Sequence, residues 1–141
     1  MNKYLNDITT IIRNCNMDNT YKMSWVRSLV EYCSKNPNVK TIHFDELSKL
    51  IFKYYWNQTI FFNLEQGSNP NKKPEIYQIV FDEIKKYQNT NNLQPIYFTR
   101  IENKIDINVK RISKTLKQDV SWRFQFIGKK EYNIYDLNLK D

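Results

Sequence analysis

The scarcity of glycine constrains this chain more than any other feature of its sequence. Its 141 residues include only two glycines and four prolines, but 10 Tyr, 8 Phe and 3 Trp. An all-β sandwich or barrel has many short strands joined by turns rich in glycine and proline, whereas helices need few such residues. The aromatic content also exceeds that of disordered chains, which have too little apolar surface to bury. The composition therefore predicts a folded, mainly helical protein.

The length is typical of one domain, and we expect residues 1–141 to share one hydrophobic core. No apolar run reaches the roughly 18 residues that span a bilayer, and the first residues lack the apolar region of a signal peptide. Cys15 and Cys33 are expected to stay reduced, as is usual in the cytosol. We therefore expect a cytoplasmic protein without a membrane partner.

Hydrophobic periodicity predicts helices over residues 4–13, 21–35, 46–55 and 75–87. Cys33 falls on the apolar face of the second of these and is expected in the core. Residues 40–44 are expected to form a short strand, after which Asp45 caps the third helix. A loop is expected at residues 66–73. Residues 21–55 would then form a helix-turn-helix-like unit that includes the strand.

The last third of the chain changes its pattern. Residues 96–116 are expected to be mostly helical, with an extended segment as the alternative where Ile105, Ile107 and Val109 alternate. After them Trp122, Phe124 and Phe126 alternate with polar residues, and a turn follows at 128–130, which predicts a β-hairpin over about residues 121–137. The expected fold class is therefore mainly α with a small β element (α+β), with a helical core over about residues 4–117 and a C-terminal β-hairpin.

The residues of familiar catalytic and metal sites are missing from the sequence. His43 is its one histidine, and no Cys-x-x-Cys pair is present. Two isolated glycines cannot build a phosphate-binding glycine loop. A Cys33–His43 pair is the remaining catalytic alternative, but a core position for Cys33 speaks against it. We therefore expect no enzymatic activity in this chain, no cofactor and no bound metal.

Positive charge is concentrated in one stretch near the C-terminus. Residues 110–130 include seven basic side chains and one acid, Asp119, whereas the other 120 residues carry 15 basic and 14 acidic ones. A biased genome composition would spread lysine evenly, so the clustering points to a polyanionic partner such as DNA or another nucleic acid. A solvated surface without a ligand is the alternative. The predicted phosphate-binding residues are Lys110, Arg111, Lys114, Lys117, Arg123, Lys129 and Lys130.

A second group of residues is aromatic rather than basic and favours a protein partner. If exposed, these side chains would form a hot-spot patch of the kind that anchors protein interfaces. A small inhibitor that blocks a nuclease complex, as anti-CRISPR proteins do, would use such a patch. The residues of this alternative are Tyr54, Tyr55, Trp56, Phe61 and Phe62.

Four short motifs lie between residues 19 and 126, and they consist mostly of core-type residues. They read Tyr21-Lys22-Met23-Ser24-Trp25 with Leu29-Val30-Glu31, Ile42-His43-Phe44-Asp45-Glu46-Leu47, Tyr55-Trp56, and Val120-Ser121-Trp122-Arg123-Phe124. This set resembles the N-terminal, non-catalytic region of bacterial HNH endonuclease domain-containing proteins, with Ser121 and Trp122 where that family has Pro and Tyr. The family's nuclease needs two or more histidines, which this chain does not have. The resemblance implies DNA as the partner, in restriction or phage defence.

Overall fold

The computed structural model describes residues 3–15, 17, 19–62, 74–90 and 94–139. Within them the chain is mainly helical, and a two-stranded antiparallel hairpin lies near the C-terminus, which confirms the predicted fold class. The regular elements are α1 (Lys3–Asn14), α2 (Asn19–Lys35), α3 (Phe44–Phe62), α4 (Glu75–Thr90), α5 (Val109–Thr115), β1 (Phe126–Ile127) and β2 (Lys130–Glu131).

Shorter helical turns complete the C-terminal half of the chain. Two 3-10 turns, Phe98–Arg100 and Glu102–Lys104, lead from α4 towards α5. A π-helical segment, Leu116–Val120, continues α5 directly, and a further 3-10 turn follows at Arg123–Gln125. Residues 105–108 are not helical, so the region 96–116 contains less helix than its sequence predicts.

α3 is the helix around which the others pack. It contacts α2, α4 and α5. Its buried residues take up more of the helix surface than the single apolar stripe of an ordinary surface helix. Trp56 shows this most clearly, because its ring packs against Phe52 and Phe98 with centroids 6.3 and 5.8 Å away, and its Nε1 donates to Ile96 O at 3.0 Å. The buried side chains of α3 are Leu47, Ser48, Ile51, Phe52, Tyr54, Tyr55, Trp56 and Thr59.

The prediction of an exposed aromatic patch is wrong for three of its five residues. Tyr54, Tyr55 and Trp56 are each 3% exposed or less, because three helices surround the part of α3 that carries them. Phe61 is half-buried and packs on Tyr97 with ring centroids 4.5 Å apart. Phe62, at the end of α3, is 71% exposed. The five side chains therefore do not share one surface.

The predicted strand at residues 40–44 is also wrong. Residues 39–43 have no regular structure, and α3 begins at Phe44, so Asp45 lies inside the first turn instead of capping it. Ile42 and Phe44 still pack against the core, which explains the strand-like alternation in the sequence. The connection between α2 and α3 spans residues 36–43 and is longer than the three- or four-residue turn of a helix-turn-helix.

The C-terminal hairpin is shorter than predicted. Only Phe126 and Ile127 pair with Glu131 and Lys130, whereas Phe124 lies in a 3-10 turn and is buried. Gly128 adopts a φ of 59° in the connecting turn, a conformation that glycine reaches without the steric cost of a Cβ atom. The loop expected at residues 66–73 lies outside the described residues.

A network of ion pairs and hydrogen bonds joins α2 to α3 around Glu31. Its carboxylate accepts hydrogen bonds from Lys53 Nζ at 2.9 Å, Tyr54 Oη at 3.0 Å and Lys35 Nζ at 3.3 Å. Partial burial acts to raise the pKa of Glu31, but the hydrogen bonds from Lys53 and Tyr54 and the charge of Lys53 together lower it. The ionised carboxylate therefore stabilises the contact between the two helices.

We expect Glu31→Gln to lower the free energy of unfolding by about 1 kcal/mol at neutral pH. A carboxylate whose pKa is lowered by folding stabilises the protein above its unfolded pKa, and this contribution disappears as the pH falls through the folded-state pKa. Urea unfolding at pH 7 and at about pH 3 should therefore show the difference from wild type shrinking in acid. Glu102→Gln, at an exposed position, is the control. An equal deficit at both pH values would contradict the charge-based account.

We expect Trp56→Ala to lower the free energy of unfolding by about 3–5 kcal/mol, because it opens a cavity in the middle of the core. Phe62→Ala, on the same helix but exposed, should stay within about 0.5 kcal/mol of wild type. Urea titration followed by circular dichroism measures both. Equal effects of the two substitutions would be incompatible with a buried Trp56.

Candidate nucleic-acid interface

A broad groove runs beside α5, with a volume of about 1770 Å³. It is lined by α5 and the π-helical segment after it, by the end of α2 and the α2–α3 connection, and by residues 134–139 near the C-terminus. Pockets for small molecules usually enclose about 300–1,000 Å³. A groove of this size fits a segment of an extended polymer better than a metabolite.

Three of the predicted phosphate-binding residues share this groove. Lys110, Lys114 and Lys117 all line it, since residues spaced by four and three lie on one face of a helix. Lys110 and Lys114 are exposed, and neither has a carboxylate partner in the part of the chain that the structure describes. Lys117 is half-buried, with its Nζ 5.5 Å from the centre of the Phe44 ring. We call these three residues the lysine row.

The α2–α3 connection adds one more cation to the lining. Lys40, in the α2–α3 connection, lines the groove together with His43. Two acids, Asp45 and Asp136, also line it, so lysines outnumber carboxylates by four to two among the described lining residues. Sequence reasoning missed Lys40, because only the fold brings a residue so distant in sequence into the same groove as α5. No local motif around Lys40 signals this position.

The other four predicted residues lie outside the groove lining. Arg111 forms an ion pair with Glu75, at the start of α4; neighbours on a helix point in directions about 100° apart, so Arg111 cannot follow Lys110 into the groove. Arg123 lies 4.0 Å from Asp119. Lys129 and Lys130 lie at the hairpin turn, where Lys130 Nζ is 4.5 Å from the centre of the Tyr132 ring. The seven residues therefore do not form one continuous ridge.

A π-helical turn places Trp122 next in line after the lysine row. Ser121 N donates to Leu116 O at 2.8 Å, and this i to i+5 pattern makes residues five apart neighbours. Trp122 therefore follows Lys117 on the same side, whereas in a continued α-helix five residues would turn it away by about 140°. Trp122 lines the groove and is 37% exposed. Phe124, two residues further along the chain, is buried and does not reach the groove.

The ring of Trp122 is held in place by its neighbours. Its Nε1 donates to Gln118 O at 2.6 Å. The Phe126 ring meets it in an edge-on arrangement at 6.0 Å, and the Arg123 guanidinium lies 5.1 Å from the ring centre. A side chain fixed in this way loses little conformational entropy when it binds a ligand.

A polar network fastens α5 to the start of α3. Ser113 Oγ donates to Asp45 Oδ1 at 2.9 Å and lies 2.9 Å from Ser48 Oγ. The serine bonds directly to a carboxylate, without the intervening histidine that serves as base in a nucleophilic triad. Its evident role is to hold α5 against the start of α3. Within the described residues, no group of three or more His, Cys, Asp or Glu side chains has a metal-binding arrangement.

Comparisons with known proteins provide no relative: no family model, curated protein or solved structure matches this chain. None of the described helices has both the length and the apolar character needed to cross a membrane. The function is therefore inferred from the groove itself.

The two cysteines have opposite environments, and the expectation of a core position for Cys33 is wrong. Cys33 is exposed and lines the groove, which opens beside the last turns of α2. Cys15 is buried, and its Sγ donates to Arg123 O at 3.1 Å. Burial raises the pKa of the Cys15 thiol, and the charge of Lys22 offsets this only in part.

We expect one fast-reacting thiol in the folded protein, because a thiolate must form and be reached by the reagent. Titration with a chromogenic disulfide reagent should show Cys33 reacting rapidly and Cys15 reacting only after denaturation. Cys33→Ser should remove the fast phase, and Cys15→Ser should leave it intact. Two equally fast thiols in the native protein would contradict this description of the groove.

Proposed function

We propose that this protein binds nucleic acid, with DNA as the expected partner, by placing the phosphate backbone along the lysine row. The observation that carries this proposal is the alignment of Lys110, Lys114 and Lys117 along one groove, which Lys40 also lines. Lysine side chains that neutralise phosphates release condensed counterions, which supplies most of the sequence-independent affinity for DNA. Contacts of this kind set position and orientation but do not read bases.

The resemblance to the non-catalytic region of HNH endonuclease domain-containing proteins supports DNA over other polyanions. We propose that the chain acts as a binding module of a restriction or defence nuclease and performs no cleavage itself. The Ser113–Asp45 pair fits this assignment, because the serine hydroxyl donates directly to the carboxylate, without a histidine between them to act as a base.

The competing proposal is that the protein is an inhibitor that binds another protein. This proposal is weakened because three of the five aromatic residues predicted to contact the partner are buried. Tyr54, Tyr55 and Trp56 cannot contact a partner without unfolding α3 from the core. Phe62 remains exposed at the end of that helix. Salt dependence separates the two proposals, because phosphate contacts weaken steeply with salt, whereas an interface of aromatic side chains weakens far less.

We expect the triple variant Lys110→Glu, Lys114→Glu, Lys117→Glu to lose most of its affinity for DNA. For wild type, four phosphate contacts predict a log–log dependence of affinity on salt with a slope of about −3 to −4. Removing the lysine row should make this slope shallower by about three. Fluorescence anisotropy with a labelled oligonucleotide at several salt concentrations measures both quantities.

The control is a triple variant with the same change in net charge: Lys85→Glu, Arg100→Glu, Lys104→Glu. These residues are exposed and do not line the groove. At about 0.15 M salt, charges farther than roughly 8 Å from the ligand are largely screened, so the control should stay close to wild type. Equal losses in the two folded variants, or no loss in either, would refute the assignment to the lysine row.

A further inference from the structure

We infer that the groove takes an unpaired nucleic-acid strand rather than a duplex, an inference that rests on the proposed function. The lysine row would hold the backbone of the strand, and Trp122 would stack on one of its bases.

The concave shape of the site disfavours a duplex. Proteins that read duplex DNA usually insert a protruding helix or β-ribbon into the major groove, which is about 12 Å wide. α5 does not stand alone in this way: it lines a groove together with the α2–α3 connection and residues 134–139. A single strand is narrow and flexible enough to lie in such a groove.

The lining of the groove offers contacts for both the phosphate and the base of an unpaired nucleotide. The lysine row extends over eight residues of helix, or about 10 Å along its axis, which is enough to contact a few consecutive phosphates. The rest of the lining includes apolar residues, among them Val39, Leu137 and Leu139. A duplex presents only its charged backbone at its outer edge, so these residues would bury no apolar surface against it. The exposed base faces of a single strand can be buried there.

Trp122 provides the stacking platform that this arrangement requires. It stands at the end of the lysine row, and its ring is fixed by the hydrogen bond to Gln118 O. In proteins that bind single strands, bases stack on aromatic side chains placed along a basic groove. The bases of a duplex already stack on one another and are not available. The π-helical segment thus brings a cation row and an aromatic platform together on one face.

The test compares labelled oligothymidylate and oligouridylate of about 20 nucleotides, longer than the usual site of one small fold, with a duplex of equal length. Anisotropy should show at least about 10-fold tighter binding of the single strands. Trp122→Leu should weaken single-strand binding by about 5- to 150-fold and leave both duplex affinity and the salt slope unchanged. Tyr97→Leu, at an exposed aromatic residue outside the groove, should have no effect.

A second readout guards against misfolding of the leucine variant. Trp25 and Trp56 are buried, so quenching of the native tryptophan fluorescence by oligothymidylate should come from Trp122. Trp122→Phe should retain part of the single-strand affinity and lose the quenching. Absence of quenching in a wild-type protein saturated with the single strand would overturn the stacking role.

The outcomes separate this inference from the proposed function. Equal or tighter binding of the duplex, sensitive to the lysine triple variant but not to Trp122→Leu, would overturn the inference and leave the proposed function in place. No binding of any nucleic acid would overturn both. Binding of an oligoglutamate peptide in place of every nucleic acid would also overturn both and identify an acidic protein segment as the partner.

Discussion

The burial of α3 is the constraint on which the rest of the structure depends. Its aromatic side chains occupy the centre of the core, and α2, α4 and α5 pack against it. This arrangement shapes the groove, because the α2–α3 connection leads directly into α3 and α5 packs against α3. The Ser113–Asp45 hydrogen bond and the adjoining Ser48 hydroxyl fix α5 in place. Loosening α3 would therefore disrupt the candidate site together with the core.

The π-helical segment has the strongest local effect on the site. It changes the direction of the residues that follow α5, so that Trp122 continues the line of the lysine row. Such segments are rare and occur disproportionately at functional sites. Here the hydrogen bond from Ser121 N to Leu116 O replaces the α-helical pattern. The extra residue in this turn determines whether the Trp122 ring lies on the same side as the lysine row or points away from it. Cations and an aromatic platform on one face form the combination expected for a single-strand site.

Helix positions could be predicted from the sequence, because apolar residues of α1, α2 and α4 recur with the helical period. The alignment of Lys110, Lys114 and Lys117 followed from their spacing alone. The burial of Tyr54-Tyr55-Trp56 could not be predicted in this way. Periodicity identifies one apolar face, whereas α3 is surrounded on several sides. The position of Lys40 in the same groove as α5 depends on tertiary packing. The position of Trp122 depends on one π turn, and the sequence carries no recognised signal for such a turn. Local patterns thus specified the elements, and long-range packing specified the site.

Protection of Cys33 from alkylation by bound oligothymidylate tests the central claim most directly, because this thiol lies in the groove and the other cysteine is buried. With saturating oligonucleotide at low salt, we expect the alkylation rate of Cys33 to fall severalfold, and we expect it to recover as added salt dissociates the complex. An unchanged rate at a salt concentration where anisotropy shows the oligonucleotide fully bound would contradict the account, because the nucleic acid would then occupy a different surface.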